Sequence, residues 1–189
     1  MKKWVPVGIV AGVILIALLM TVSSYNSLVT KQEAAKTAWS QVENQYQRRF
    51  DLIPNLVETV KGFAKQEREV LTEVTRLRSQ WGEARTTGNI AQAQQAARGL
   101  DAVLSRLLLV VERYPELKSN QNFLKLQDQL EGTENRISVE RRRYNLAVKD
   151  YNVSIRRFPT NFLASMFGFS RMSLFEAEVE AQKAPKVKF

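Results

Sequence analysis

The order of apolar and polar positions changes character once near the start of this chain and then becomes periodic. From Trp4 to Val22 the residues are apolar except for Gly8, Gly12 and Thr21, with Pro6 in the first turns. From Tyr25 onward apolar residues recur three and four apart: Tyr25, Leu28, Ala35, Trp39, Val42 and Tyr46, with Gln32 and Arg49 on the same stripe. No glycine or proline falls between Val13 and Ile53. Proline removes a helix donor and glycine weakens the ladder, so their absence predicts one helix running through the change of character. At about 1.5 Å per residue the apolar stretch reaches about 28 Å, close to the thickness of a hydrocarbon core. The competing reading is a secretory signal, with Lys2 and Lys3 as its basic start and Thr21-Val22-Ser23 as a poor cleavage site. Its apolar region would be too long and a helix would run through the site, so a membrane anchor is the expectation.

Three further stripes follow. The second begins near Ile53, with Pro54 at a first-turn position, and continues through Leu56, Val60, Phe63, Glu67, Val70, Val74, Leu77 and Trp81. It stops at Thr86-Thr87-Gly88-Asn89, a turn. The third contains Ile90, Ala93, Ala97, Leu100, Leu104, Leu107 and Val111 and ends at Tyr114-Pro115. The fourth runs through Phe123, Leu126, Leu130, Thr133, Ile137, Glu140, Tyr144, Ala147, Tyr151 and Phe158. A sustained 3.5-residue spacing with short turns predicts an all-α fold. Its single N-terminal transmembrane helix is continuous with the first helix of an antiparallel four-helix bundle. The expected organisation is a basic tip at 1–3, an anchor at 4–24, the bundle at 25–158 and a Phe-rich segment and tail at 159–189. Asp51, just before Leu52-Ile53-Pro54, is expected to cap the second helix, with Arg48 and Arg49 serving the same turn. Asp51→Ala would then cost about 1 kcal/mol.

Composition narrows the chemistry. The chain has neither histidine nor cysteine. That excludes nucleophile systems built on histidine, thiolate or imidazole zinc sites, di-iron sites with histidine and an acyl anchor on cysteine. The glycines are scattered, with no phosphate-cradling loop. No catalytic, cofactor or metal residues are assigned; a Glu67–Glu140 carboxylate pair is set aside because helix arithmetic places the two at different heights. The chain is +9 overall, and without Lys2 and Lys3 the domain keeps about +7, which suits anionic headgroups or an acidic partner, while a membrane anchor argues against nucleic acid. Lys2 and Lys3 directly precede the span, whereas the first basic residue after it is Lys31, which places the N-terminus in the cytoplasm and the domain outside.

The remaining candidates are for structure and interaction. Gln32, Arg49, Glu67, Thr133 and Glu140 interrupt apolar stripes, and a buried charge among them requires a partner. Tyr-Asn recurs at Tyr25-Asn26, Tyr144-Asn145 and Tyr151-Asn152. The tyrosine lies on the stripe each time, so these pairs are placed to bond across the bundle base or between subunits. Arg141-Arg142-Arg143 is expected on a solvated face. Phe158, Phe162, Phe167 and Phe169, flanked by arginines, either close the end of the core or lie in a membrane interface.

Several blocks resemble the LemA family: Tyr25-Asn26-Ser27-Leu28-Val29, Ala38-Trp39-Ser40-Gln41-Val42, and Gln47 through Val57 with its Arg48-Arg49-Phe50-Asp51 and Ile53-Pro54-Asn55. Tyr114-Pro115-Glu116-Leu117-Lys118, Thr133-Glu134-Asn135-Arg136-Ile137, the two later Tyr-Asn pairs and Phe158-Pro159 extend it. The resemblance implies a single-pass bacterial envelope protein with a helical bundle, placed in the inner membrane, and supplies no reaction. One relative takes part in building magnetosome membranes, which implies membrane organisation. The expected function is therefore non-enzymatic: self-assembly or partner binding on the bilayer, with a homo-oligomer or a membrane-protein partner. The alternative is an adaptor for a membrane protease or phosphatase. An oxygen-ligand metal hydrolase is a third class.

Overall fold

The computed structural model describes residues 5–63 and 68–175. It is all-α, with no strand among the described residues. Among the described residues six helices follow in order: α1 (Val5–Phe63), α2 (Arg68–Thr87), α3 (Ile90–Val111), α4 (Pro115–Lys118), α5 (Gln121–Ser154) and α6 (Thr160–Met166). Four helices were expected from the stripes. The count differs because Tyr114-Pro115 opens a one-turn helix of its own, and because a short α6 follows α5.

The boundary expected at Asp51 is not there. Helix α1 continues through Pro54 to Phe63, so Asp51 and Pro54 lie in a helix interior and Asp51 caps nothing. An interior proline forfeits one backbone bond and crowds the preceding turn, at about 3 kcal/mol. Burial on both sides of it outweighs that cost: Phe50, Ile53, Leu56, Val57 and Val60 are all buried, and breaking the helix would scatter them. Pro54 itself faces outward, where the loosened carbonyl can meet water. Asp51 is exposed and accepts a hydrogen bond from Gln47 Nε2 one turn earlier, at 2.8 Å.

The turn at Gly88-Asn89 forms as expected. Gly88 has φ +65°, a left-handed conformation that favours glycine. The Asn89 N–H donates to Ala84 O at 2.9 Å and the Gly88 N–H to Arg85 O at 3.3 Å, closing α2. Asn89 Oδ1 then accepts the Gln92 N–H at 3.1 Å and caps α3. A two-residue connection makes α2 and α3 antiparallel neighbours. They approach closely at Gly99, where a Cβ would stand 2.7 Å from Leu77 Cδ2. Asn120 Oδ1 caps α5 in the same manner, accepting the Phe123 N–H at 3.1 Å.

The described residues fall into two compact units, one within Met1–Trp39 and Arg143–Leu174, the other within Ser40–Arg142 and Phe175–Phe189. Helix α1 carries one stretch apolar and long enough to cross a membrane, with mean hydropathy 2.1 and none of it buried. In the first unit Leu28, Tyr151, Ile155 and Ala164 form a buried cluster, with Phe169 and Met172 packed against it. In the second, Trp81 stacks on Phe50 at 5.2 Å and tilts against Tyr46 at 5.2 Å.

Candidate functional site

In the first unit the chain doubles back after α6 and its backbone is gripped by α5. Tyr151 Oη donates to Ser170 O at 2.9 Å, and Tyr144 Oη donates to Ser173 O at 2.8 Å. Between them Asn152 makes a two-way pair with Met172. Its Nδ2 donates to Met172 O at 2.8 Å, and its Oδ1 accepts the Met172 N–H at 3.0 Å. Tyr144 and Tyr151 are seven residues apart and Asn152 adjoins the second, so all three project from one side of α5. Residues 170–173 lie outside any helix, and these side chains satisfy part of their backbone. Each such bond contributes about 0.5–1.5 kcal/mol net, so the clamp is a modest but cooperative restraint. Both later tyrosines and Asn152 thus bind the chain's own C-terminal segment. Asn145 is half-buried beside Tyr144.

Burial pushes the Tyr144 phenol up to about 12. Tyr151 is also raised, first by burial, with Lys36 opposing. A phenol whose folded pKa lies above its unfolded value of about 10 contributes fully below that pH and loses its contribution as pH climbs through the folded value. The unfolding midpoint of the protein is therefore expected to fall more steeply between pH 10 and pH 12 than that of Tyr144→Phe. Parallel alkaline profiles for the two proteins, measured by circular dichroism, would remove Tyr144 as the responsible group.

The first Tyr-Asn pair is placed differently. The Tyr25 ring meets Phe167 edge-on at 5.0 Å and Phe169 at 5.7 Å, while Asn26 is exposed. Trp39 is buried and tilts against Tyr144 at 5.3 Å. Lys31 donates to Ser154 Oγ at 2.7 Å and lies 3.8 Å from Asp150. The Phe-rich segment divides. Phe169 packs on the core, whereas Phe158, Phe162 and Phe167 are exposed. Phe158, expected on the fourth stripe, lies beyond the end of α5 at Ser154.

The second unit contains the buried charge. Arg49 is 7 % exposed and bonds through Nη1 to Asp101 Oδ1 of α3 and to Glu134 Oε2 of α5, each at 2.6 Å. Asp101 Oδ2 accepts from Arg141 Nη2 at 2.8 Å. Arg141 also lies over the rings of Phe175 and Tyr46, at 4.4 and 5.2 Å from their centroids. Arg49 thus ties three helices together instead of serving a turn, and Arg141 leaves the solvated face expected for its run. Next to the network a cavity of about 300 Å³ is lined by Leu56, Leu104, Leu107, Phe123 and Leu130, with Arg49 and Glu134 in its wall. That guanidinium and carboxylate are engaged with each other, so the cavity offers a ligand mainly apolar contact. Among the described residues no cluster of Asp and Glu could hold a metal ion. Glu67 lies outside the described residues, as do Lys2, Lys3 and the tail from 176 onward.

Sequence reasoning missed Asp101, Arg141 and the 170–173 backbone. The need of Arg49 for a partner was visible; the partner's identity depended on register between helices. The backbone acceptors carry no side-chain signal at all.

A model of the LemA family matches residues 38–189. The chain is 30% identical over 175 residues to Magnetosome protein MamQ 2 of Paramagnetospirillum magneticum, covering 80% of this chain and 64% of that protein. It is 27% identical over 197 residues to Magnetosome protein MamQ of Magnetospirillum gryphiswaldense, covering 90% of this chain and 72% of the relative. It is 23% identical over 190 residues to Protein LemA of Metamycoplasma hominis, covering 95% and 85%. An all-helical chain with an exposed apolar helix start, matched by the family model over most of its length, belongs to the LemA family.

Proposed function

We propose that this protein is a non-enzymatic, membrane-anchored scaffold that organises an envelope membrane through self-assembly. The observation that carries this reading is the absence of any break in α1 where its apolar stretch ends. The exposed stretch up to Val22 runs as one helix into Tyr25, Leu28, Ala35 and Trp39, which already pack within the first unit. A packed unit that begins one turn beyond the span has little freedom to tilt on the bilayer. Copies in one membrane would meet with matching faces, and repeated heterologous contacts close into rings when the rotation permits. The relatives named as magnetosome proteins support membrane organisation as the setting.

The N-terminus is cytoplasmic and the folded units extracytoplasmic, a bacterial inner-membrane arrangement supported by Lys2 and Lys3 before the span. Lys31, the first basic residue beyond it, has Asp150 within 3.8 Å, which lessens its weight on the other side.

The experiment is sizing of the full chain in mild detergent, alone and with two glycines inserted between Ser24 and Tyr25. The unaltered protein is expected to form large homomeric particles and the insertion to disperse them. Particles that survive the insertion would dismiss the rigid stem as the mechanism. A monomer that co-purifies with a second membrane protein would replace self-assembly with the adaptor function.

A further inference from the structure

Helix α6 packs the opposite way from a helix of a water-soluble domain. Its inward residue is small: Ala164 is buried in the cluster of Leu28, Tyr151 and Ile155. Two of its three large apolar residues point out, with Phe162 77% and Met166 67% exposed one helical turn apart, while Leu163 is half-buried; Phe158 just before the helix is 85% exposed. Phenylalanine and methionine rank among the residues most often buried, and clustered exposure of them marks contact with an apolar medium. The exposed Arg156 and Arg157 immediately precede Phe158. The location of this patch identifies the medium. Tyr25, three residues beyond the end of the exposed apolar stretch, holds Phe167 and Phe169 edge-on within the same unit. Three residues of helix amount to about 4.5 Å, so α6 sits at the level where the span ends.

We propose that α6 and its approach form an interfacial foot. Phe158, Phe162 and Met166 enter the boundary between headgroups and acyl chains of the bilayer that α1 crosses, and Arg156 and Arg157 meet anionic headgroups. Apolar residues beside cations at headgroup depth are what an interfacial segment uses. The span fixes depth, and the foot adds a second contact point that fixes rotation about the span. The inference rests on the membrane-anchored reading above and adds a lipid-binding surface to it.

The chain has no native cysteine, so a single introduced one carries a label without competition. The full chain with Ser165→Cys, bearing an environment-sensitive fluorophore, is reconstituted into phosphatidylethanolamine–phosphatidylglycerol vesicles containing brominated acyl chains. Leu15→Cys is the matching label within the span. Both labels are expected to be quenched by the brominated lipid. Phe158→Ser with Phe162→Ser is expected to reduce quenching at position 165 several-fold, leaving position 15 and the helical circular dichroism unchanged. Quenching at 15 without quenching at 165 overturns the foot and leaves the anchor standing. Absence of quenching at both overturns the anchor and the foot with it. Blue-shifted emission at 165 that ignores brominated lipid and reverts on dilution of protein in the vesicles means a second copy covers the patch, which also overturns the proposal.

Discussion

Arg49→Ala is expected to lower the unfolding free energy of the protein by about 3 kcal/mol, the lower end of the range for breaking a buried ion pair. The substitution removes the guanidinium that bonds Asp101 and Glu134 at once. Asp101 keeps Arg141 at 2.8 Å, and Glu134 is partly open to solvent, so neither carboxylate is fully abandoned. Most of the loss comes from desolvated charge left under-compensated, with the packing of the arginine stem adding to it. Urea unfolding of the full chain in mild detergent, followed by circular dichroism, measures it. In a double-mutant cycle with Asp101→Ala the two changes are expected to couple by about 1–3 kcal/mol. Additive losses would mean that the pair holds nothing together beyond its separate packing. Removing a charged partner is a different operation from replacing the whole network with apolar residues, which is often neutral or stabilising. The network accordingly fixes which helix faces meet more than it raises stability.

Trp81→Ala should cost about 3–5 kcal/mol, the usual range for deleting a large buried aromatic side chain. Trp81 is 1 % exposed, stacks on Phe50, tilts against Tyr46, and donates its indole N–H to Gln47 Oε1 at 3.3 Å. Its loss opens a cavity between α1 and α2 that rigid helices cannot collapse into. Trp81→Phe retains most of the ring contact and gives up the hydrogen bond, so it is expected to lose about 1–2 kcal/mol. If the alanine variant fails to accumulate, the phenylalanine variant still supplies the measurement. A loss for Trp81→Phe as large as the range of about 3–5 kcal/mol would show that the smaller ring recovers none of the contact at this site.

These two residues had different standing in the sequence. Trp81 lay at the end of an apolar stripe, and an aromatic there is legible as core because helical period alone assigns the face. Arg49 lay on a stripe as an oddity. Local pattern showed that a buried charge needed a partner, but could not choose Asp101 and Glu134 from the acidic residues of other helices. That choice is a matter of axial register between helices far apart in sequence.

The same division holds across the chain. The sequence by itself determined the all-α class, the unbroken helix from the apolar stretch into the packed residues, and the turn at Gly88-Asn89. Each follows from local physics: backbone propensity, helical period, and a glycine where the chain must turn left-handed. Tertiary structure alone decided that α1 passes through Pro54. The proline penalty is local, whereas the burial of Phe50 through Val60 that outweighs it depends on other helices. It alone decided that Tyr144, Tyr151 and Asn152 clamp the backbone of 170–173, since main-chain acceptors look alike in every sequence. It also decided which phenylalanines face outward. Phe162 and Phe169 are the same residue type in the same segment, and only the placement of α6 beside Leu28 and Tyr151 separates the exposed ring from the packed one.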